Sequence, residues 1–381
     1  MLTINSRGKI GVFTFFVPLS LLFNSVGIFH SAFKSYTTLY MALIFLVLIV
    51  FSWLFNRTAY FSVAISNIVA TPKALLTLLF VIYCLSISIY FYFTSDILLR
   101  GLPAPQEVYA TRLEAISIDK YWMFVAITNI GLSLSVMYLI LEEKLKWLLV
   151  TSTYILFFVI SMQKSPIANL FLIQGFFYVL IHGLSVRFIV GATTLMLAFF
   201  YYMTIVTLGD ADFGRIGLLL NALGERVFAA GYLVVKVYET VGSDVRFFGG
   251  ATLPKLFGFI DINMTGRNVS LPAFIMGLTG QLGGANTSFF TEGFANFGYG
   301  GDFAFILFFY SYVACMLFLI RLLAPVLLPF FVLTTSIAMI HVVHSDIWGF
   351  FTSQIFIAII FVLLAFIPRK SNGGNVQIMC N

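Results

Sequence analysis

The sequence predicts an all-α polytopic membrane protein with about ten transmembrane helices and one large outward loop, and three observations predict it. Apolar residues make up 61% of the 381, with 45 phenylalanines, and only 9% are charged; mean hydropathy is +1.03. Soluble domains are about half apolar and a quarter charged. Second, the apolar residues come in runs of about the 20 residues that cross hydrocarbon, without the period-2 alternation of a barrel strand. Third, one stretch breaks the pattern. Residues 209–302 hold 18 of the 29 glycines and 14 of the 36 charged residues within 94 positions. A segment of that length joining two apolar runs is either functional or disordered, and its 216–235 and 271–282 portions are too apolar to stay unfolded in water.

In chain order, the run 10–29 follows Arg7 and Lys9 and is closely followed by another run. It has no small-residue cleavage site, so it is expected to be a retained helix and not a removed signal peptide. Runs at 37–55, 74–93, 121–141, 147–162, 167–182 and 188–208 complete a seven-helix N-terminal part, 1–208. After the loop 209–302, runs at 303–323, 328–343 and 347–367 form a three-helix C-terminal part with a tail, 303–381. Helices are expected because hydrocarbon offers no partner for free backbone groups. Asn221, Glu225 and Arg226 fall in the middle of 216–235, which makes that stretch an interfacial or re-entrant helix and not an eleventh span.

Charge sets the expected orientation. With the N-terminus inside, Arg7, Lys9, Arg57, Lys73, Lys144, Lys146, Arg187, Arg321, Arg369 and Lys370 are cytoplasmic, ten basic residues. The outside short loops hold five: Lys34, Arg100, Arg112, Lys120 and Lys164. The positive-inside rule then leaves both termini cytoplasmic and the long loop outside. Because most basic residues flank apolar runs, the net charge of +6 reports topology, and nucleic-acid binding is excluded. Cys84 and Cys315 lie in apolar runs and Cys380 in the tail, so none is suited to pair in an exposed loop or to build a metal site.

Three constellations carry candidate chemistry. Arg215, Arg226, Arg246 and Arg267 are spread through the long loop among glycines. The planar guanidinium makes bidentate bonds to phosphate; equally, these arginines can pair with the loop's eight acids or with lipid headgroups. His341 and His344, in H-V-V-H-S-D, share a helical face next to Asp346. A neutral imidazole is a general base near neutral pH, although interfacial histidines also serve as hydrogen-bonded boundary residues. No further ligand set at a zinc-like spacing accompanies them, so no metal is expected. The third is T-E-G-F-A-N-F-G-Y-G-G, residues 291–301, with Glu292 ahead of an aromatic and glycine run. Phe294, Phe297 and Tyr299 read as an interfacial aromatic belt. A carboxylate so close to hydrocarbon is costly, so Glu292 pairs with an arginine or handles a proton.

This layout, with a large outward loop in the second half, scattered arginines and E-G-F-A-N-F-G-Y-G-G leading into the next helix, resembles the O-antigen polymerases (Wzy family). An Arg followed after fifteen residues by Gly, similar to a pattern proposed for such loops, recurs at Arg215–Gly231, Arg226–Gly242 and Arg267–Gly283. The related O-antigen ligases are a second resemblance. By that analogy Lys164, in M-Q-K-S-P, stands where an Arg is expected, and the longer His and Asn pattern of the ligases is absent. The resemblance implies a metal-independent glycosyltransferase of the bacterial inner membrane without a cofactor. It would transfer a glycan from undecaprenyl pyrophosphate to a sugar hydroxyl of a lipid-linked repeat unit on the periplasmic face. His341, His344, Glu292 and Arg267 are then the catalytic candidates, and Arg215, Arg226, Arg246 and Lys164 the pyrophosphate-binding ones. The expected partners are lipid-linked oligosaccharide, membrane lipid and a chain-length regulator protein. A lipid-linked oligosaccharide flippase, an O-antigen ligase and a membrane acyltransferase remain the alternatives; the absence of an internal repeat and the 94-residue loop disfavour the flippase.

Overall fold

The structure, a computed structural model, describes residues 9–25, 28, 36–69, 71, 73–99, 107, 111, 114, 118–161, 164–183, 185–186, 189–195, 197–198, 234–235, 237–240 and 289–344. Helix accounts for 87% of them. Among the described residues, three helices are long and apolar enough to cross a membrane: α2 (Tyr36–Arg57), α4 (Lys73–Phe93) and α10 (Gly301–Leu323). Between α4 and α10 the chain forms α5 (Ser95–Leu99), α6 (Ile118–Ile140), α7 (Lys144–Ile160), α8 (Lys164–His182) and α9 (Phe289–Phe297). A 3-10 turn, Pro325–Leu327, follows α10 and leads into α11 (Leu328–His344). Helices α2, α4, α6, α7, α8, α10 and α11 coincide with apolar runs to within a few residues, because a run in hydrocarbon must satisfy its own backbone groups. Residues 347–367 and most of 188–208 and 209–288 lie outside the described residues.

The side chains report the surroundings. On α2, Thr38, Met41, Ala42, Ile44, Phe45, Leu48 and Ser52 face the protein. Leu39, Leu43, Leu46, Val50 and Leu54 form an equally apolar stripe on the opposite, exposed face. A helix apolar on both faces is built for hydrocarbon on its outer side, since soluble proteins rarely expose such a stripe.

The N-terminal run departs from the expected straight helix. It begins as a strand, β1 (Lys9–Gly11), antiparallel to β2 (Ser62–Ala64) with Ile10 opposite Val63. It then turns, forms α1 (Phe16–Ser20) and continues as a π-helix over Leu21–Ser25. Beside it, β2 runs directly into α3 (Ile65–Val69). Such irregular backbone survives at membrane depth only where protein surrounds it and supplies the missing bonds. Here Val12 N–H donates to the Phe61 carbonyl and Phe13 N–H to Asn56 Oδ1. Ile10, Val12, Phe13, Phe15, Phe16 and Leu19 are all buried. Phe13 is ringed by Phe16, Phe55, Phe61, Phe309 and Tyr310 at centroid distances of 5.0 to 6.4 Å. Much of the phenylalanine content is therefore interlocked core.

At the centre lies α11, which packs against α1, β1, β2, α3, α6, α9 and α10. The turns and contacts fix the helix directions. Tyr310 on α10 bonds Ser52 and the Leu48 carbonyl of α2, and Arg321 donates to the carbonyls of Ala59 and Tyr60, so α2 and α10 run parallel. Helices α6 and α7 reverse across residues 141–143, and α10 and α11 across the 3-10 turn. Lys9, Arg57, Lys73, Lys144, Lys146 and Arg321 consequently gather at one end of the bundle. Tyr36, Phe93, the first residue of α8, the turn before α10 and the last turn of α11 gather at the other.

Candidate functional site

The segment Phe289–Asp302 falls within the stretch assigned by composition to the long loop, yet it forms a tight helical hairpin. In α9, residues Phe289 to Asn296 are buried, and the helix lies antiparallel to α10. Gly298 (φ 76°) and Gly300 (φ 88°) make the reversal, in a backbone region where a Cβ is strained. Gly293 and Gly301 bring the two helices into backbone contact. A Cβ on Gly293 would stand 2.5 Å from the Gly301 carbonyl oxygen, and one on Gly301 2.3 Å from that of Gly293. The glycines of the E-G-F-A-N-F-G-Y-G-G run thus serve a reversal and a close helix crossing.

Glu292 is carried inward by this hairpin and is 1% exposed. Asn296 donates its Nδ2–H to the Glu292 backbone carbonyl at 2.8 Å, reinforcing α9 from within. α9 also packs against α11, whose last turn contains positions 341 and 344 on one face. In that same turn the Val343 carbonyl accepts from Asn24, on the π-helix, at 3.2 Å. Glu292 and the π-helix, a feature frequent at functional sites, are therefore on elements that meet α11, whose last turn carries the two histidine positions.

A second carboxylate, which the sequence had offered only as one of eight loop acids, has the best-defined surroundings. Asp302 sits in the first turn of α10 and is fully buried. Its Oδ1 accepts from Tyr40 Oη at 2.9 Å and from the Phe303 N–H at 2.8 Å; its Oδ2 accepts from Tyr238 Oη at 3.0 Å. A negative side chain is favourable in a first helical turn. Tyr238 stacks on Phe294 at 4.2 Å, and Tyr299 stands edge-on to both Tyr40 and Phe294 at 5.2 Å. Burial, with Asp302 beside it, pushes the Tyr238 phenol well above its ordinary value, so it stays a donor. The only advance signal for Asp302 was an acid two residues into an apolar helix after a glycine pair.

Of the other expected site residues, Lys164 is the first residue of α8, at the same end of the bundle as the hairpin turn. The side chains of Lys164, His341 and His344 lie outside the described residues, as do Arg215, Arg226, Arg246 and Arg267 altogether. Among the described residues no group of three His, Cys, Asp or Glu side chains could hold a metal. Comparison with protein-family models, with curated proteins and with solved structures finds no match.

Proposed function

We propose that this protein is an oligosaccharide repeat-unit polymerase of the Wzy type in a bacterial inner membrane, with the basic end of the bundle in the cytoplasm. The observation that supports this reading is the packing of α9, with its buried Glu292, against α11, whose last turn carries His341 and His344. A proton acceptor at the membrane edge is the one group that a sugar hydroxyl requires in order to attack a lipid-linked glycan.

In this reading the acceptor hydroxyl oxygen attacks the anomeric carbon of the donor chain. The bond from that carbon to the pyrophosphate oxygen breaks, and undecaprenyl pyrophosphate leaves with the electron pair. Glu292, His341 or His344 takes the hydroxyl proton. The loop cations, Arg215, Arg226, Arg246 and Arg267 together with Lys164, meet the charge that develops on the leaving group. Neither a nucleotide sugar nor a metal enters the scheme.

The reaction is tested with the purified protein in lipid nanodiscs supplied with repeat units on undecaprenyl pyrophosphate, in the presence of a chelator. Longer glycans, with one polyprenyl pyrophosphate released per unit added, are expected. A protein that holds the substrate but leaves both chain length and pyrophosphate unchanged would count against a polymerase.

A further inference from the structure

We infer that Asp302 is a positioning residue that docks the long loop onto the membrane helices. The carboxylate lies between three parts of the chain that are far apart in sequence. Tyr40, on α2, is 262 residues away and Tyr238, in the long loop, is 64 away. Each carboxylate oxygen takes one phenol. Around Tyr238 the helical residues 234–235 and 237–240 turn one face to the bundle: Val234, Val235, Val237 and Tyr238 are buried, while Glu239 and Thr240 are exposed. Phe294 of the hairpin closes over the Tyr238 ring, and the Gly300 N–H donates to Tyr40 Oη at 3.3 Å. The loop segment, the hairpin turn and α2 thus converge on one carboxylate.

Simple packing does not call for this arrangement. A carboxylate with no exposed surface is costly to bury, and an apolar side chain of similar size would fill the space at less cost. What the carboxylate adds is direction. Its two oxygens accept from two phenols at once, which fixes residues 234–240 in register with the turn that begins α10. Hydrogen bonds to charged acceptors are also the stronger ones. Because the loop carries the arginines, holding this segment sets where they reach the membrane surface. Only that last consequence rests on the polymerase reading.

Hydrogen–deuterium exchange of the full-length protein in nanodiscs tests the docking without reference to activity. Asp302→Ala and Tyr238→Phe should each speed exchange at 234–240 by about tenfold or more, with α4, α6 and α7 unchanged. The double variant should exchange no faster than the faster single variant, since both remove the same link. Asp302→Asn, with one carbonyl acceptor in place of two carboxylate oxygens, should fall between wild type and Ala. If Asp302→Ala does not fold, Tyr238→Phe, which removes one hydroxyl, decides alone. Unchanged exchange at 234–240 in the folded variants, or additive effects in the double variant, would overturn the inference. Faster exchange at 234–240 in the variants, together with a wild-type protein that is itself inactive on lipid-linked glycans, would uphold the docking and reject the polymerase.

Discussion

Glu292 and Asp302 stand on the two facing arms of one hairpin, and both are buried, yet only the first was legible beforehand. A lone acid inside F-F-T-E-G-F-A-N-F is conspicuous because hydrocarbon penalises it. Asp302 gains its meaning from Tyr40 and Tyr238, partners that no local spacing reveals. If Glu292 takes the acceptor proton, Glu292→Gln should lower chain extension by about a hundredfold or more at unchanged membrane abundance; glycan ladders beside an immunoblot check this, and a normal ladder removes Glu292 from the chemistry. Arg267→Ala or Arg215→Ala should also shorten the ladder. Lys should fail to rescue whichever arginine grips phosphate with two nitrogens, and full rescue would reduce its role to that of a point charge. Within the bundle, Tyr310→Phe removes bonds to Ser52 and the Leu48 carbonyl and should cost only about 1 kcal/mol in thermal unfolding, as is usual for a net intramolecular hydrogen bond.

At the scale of the elements, hydropathy located α2, α4, α6, α7, α8, α10 and α11 because each must satisfy its own backbone while presenting apolar side chains on every face. The same signal could not distinguish a helix from the broken β1, α1 and π-helix path of the N-terminal run. Apolar content is alike in both, and the deciding partners, Asn56 and Phe61, lie well downstream. α9 escaped for the opposite reason: nine residues are too few for a spanning-length window. The hairpin account makes a sharp demand on its glycines. Gly293→Ala and Gly301→Ala each drive a methyl into a backbone carbonyl, which no side-chain rotation can relieve, so α9 and α10 must separate at a cost of about 1 to 3 kcal/mol. Gly191→Ala, at a helical position with nothing within 4 Å, should be neutral or slightly stabilising. Thermal unfolding in detergent compares the three, and equal stability of all of them would contradict the close crossing.

Over the whole molecule, alternating helix directions sort the chain into a basic end and an end that bears the hairpin turn, the start of α8 and the last turn of α11. The sequence reading expects ten basic residues on one side against five on the other; the described ones among the ten, Lys9, Arg57, Lys73, Lys144, Lys146 and Arg321, fall at one end. How the elements converge on α11 was not readable, because most of α11 is apolar and its sequence does not name its neighbours. In the proposed scheme the polar chemistry belongs at the hairpin end, away from the cytoplasmic pool of nucleotide sugars, where a lipid-linked donor is the available source of activated glycan. The most direct measurement is the lipid-linked and lipid A-linked glycan in cells that lack this protein. A polymerase predicts lipid A carrying single repeat units, restored to a ladder by the wild-type chain; full-length ladders in its absence, or no repeat unit on lipid A at all, would contradict the account.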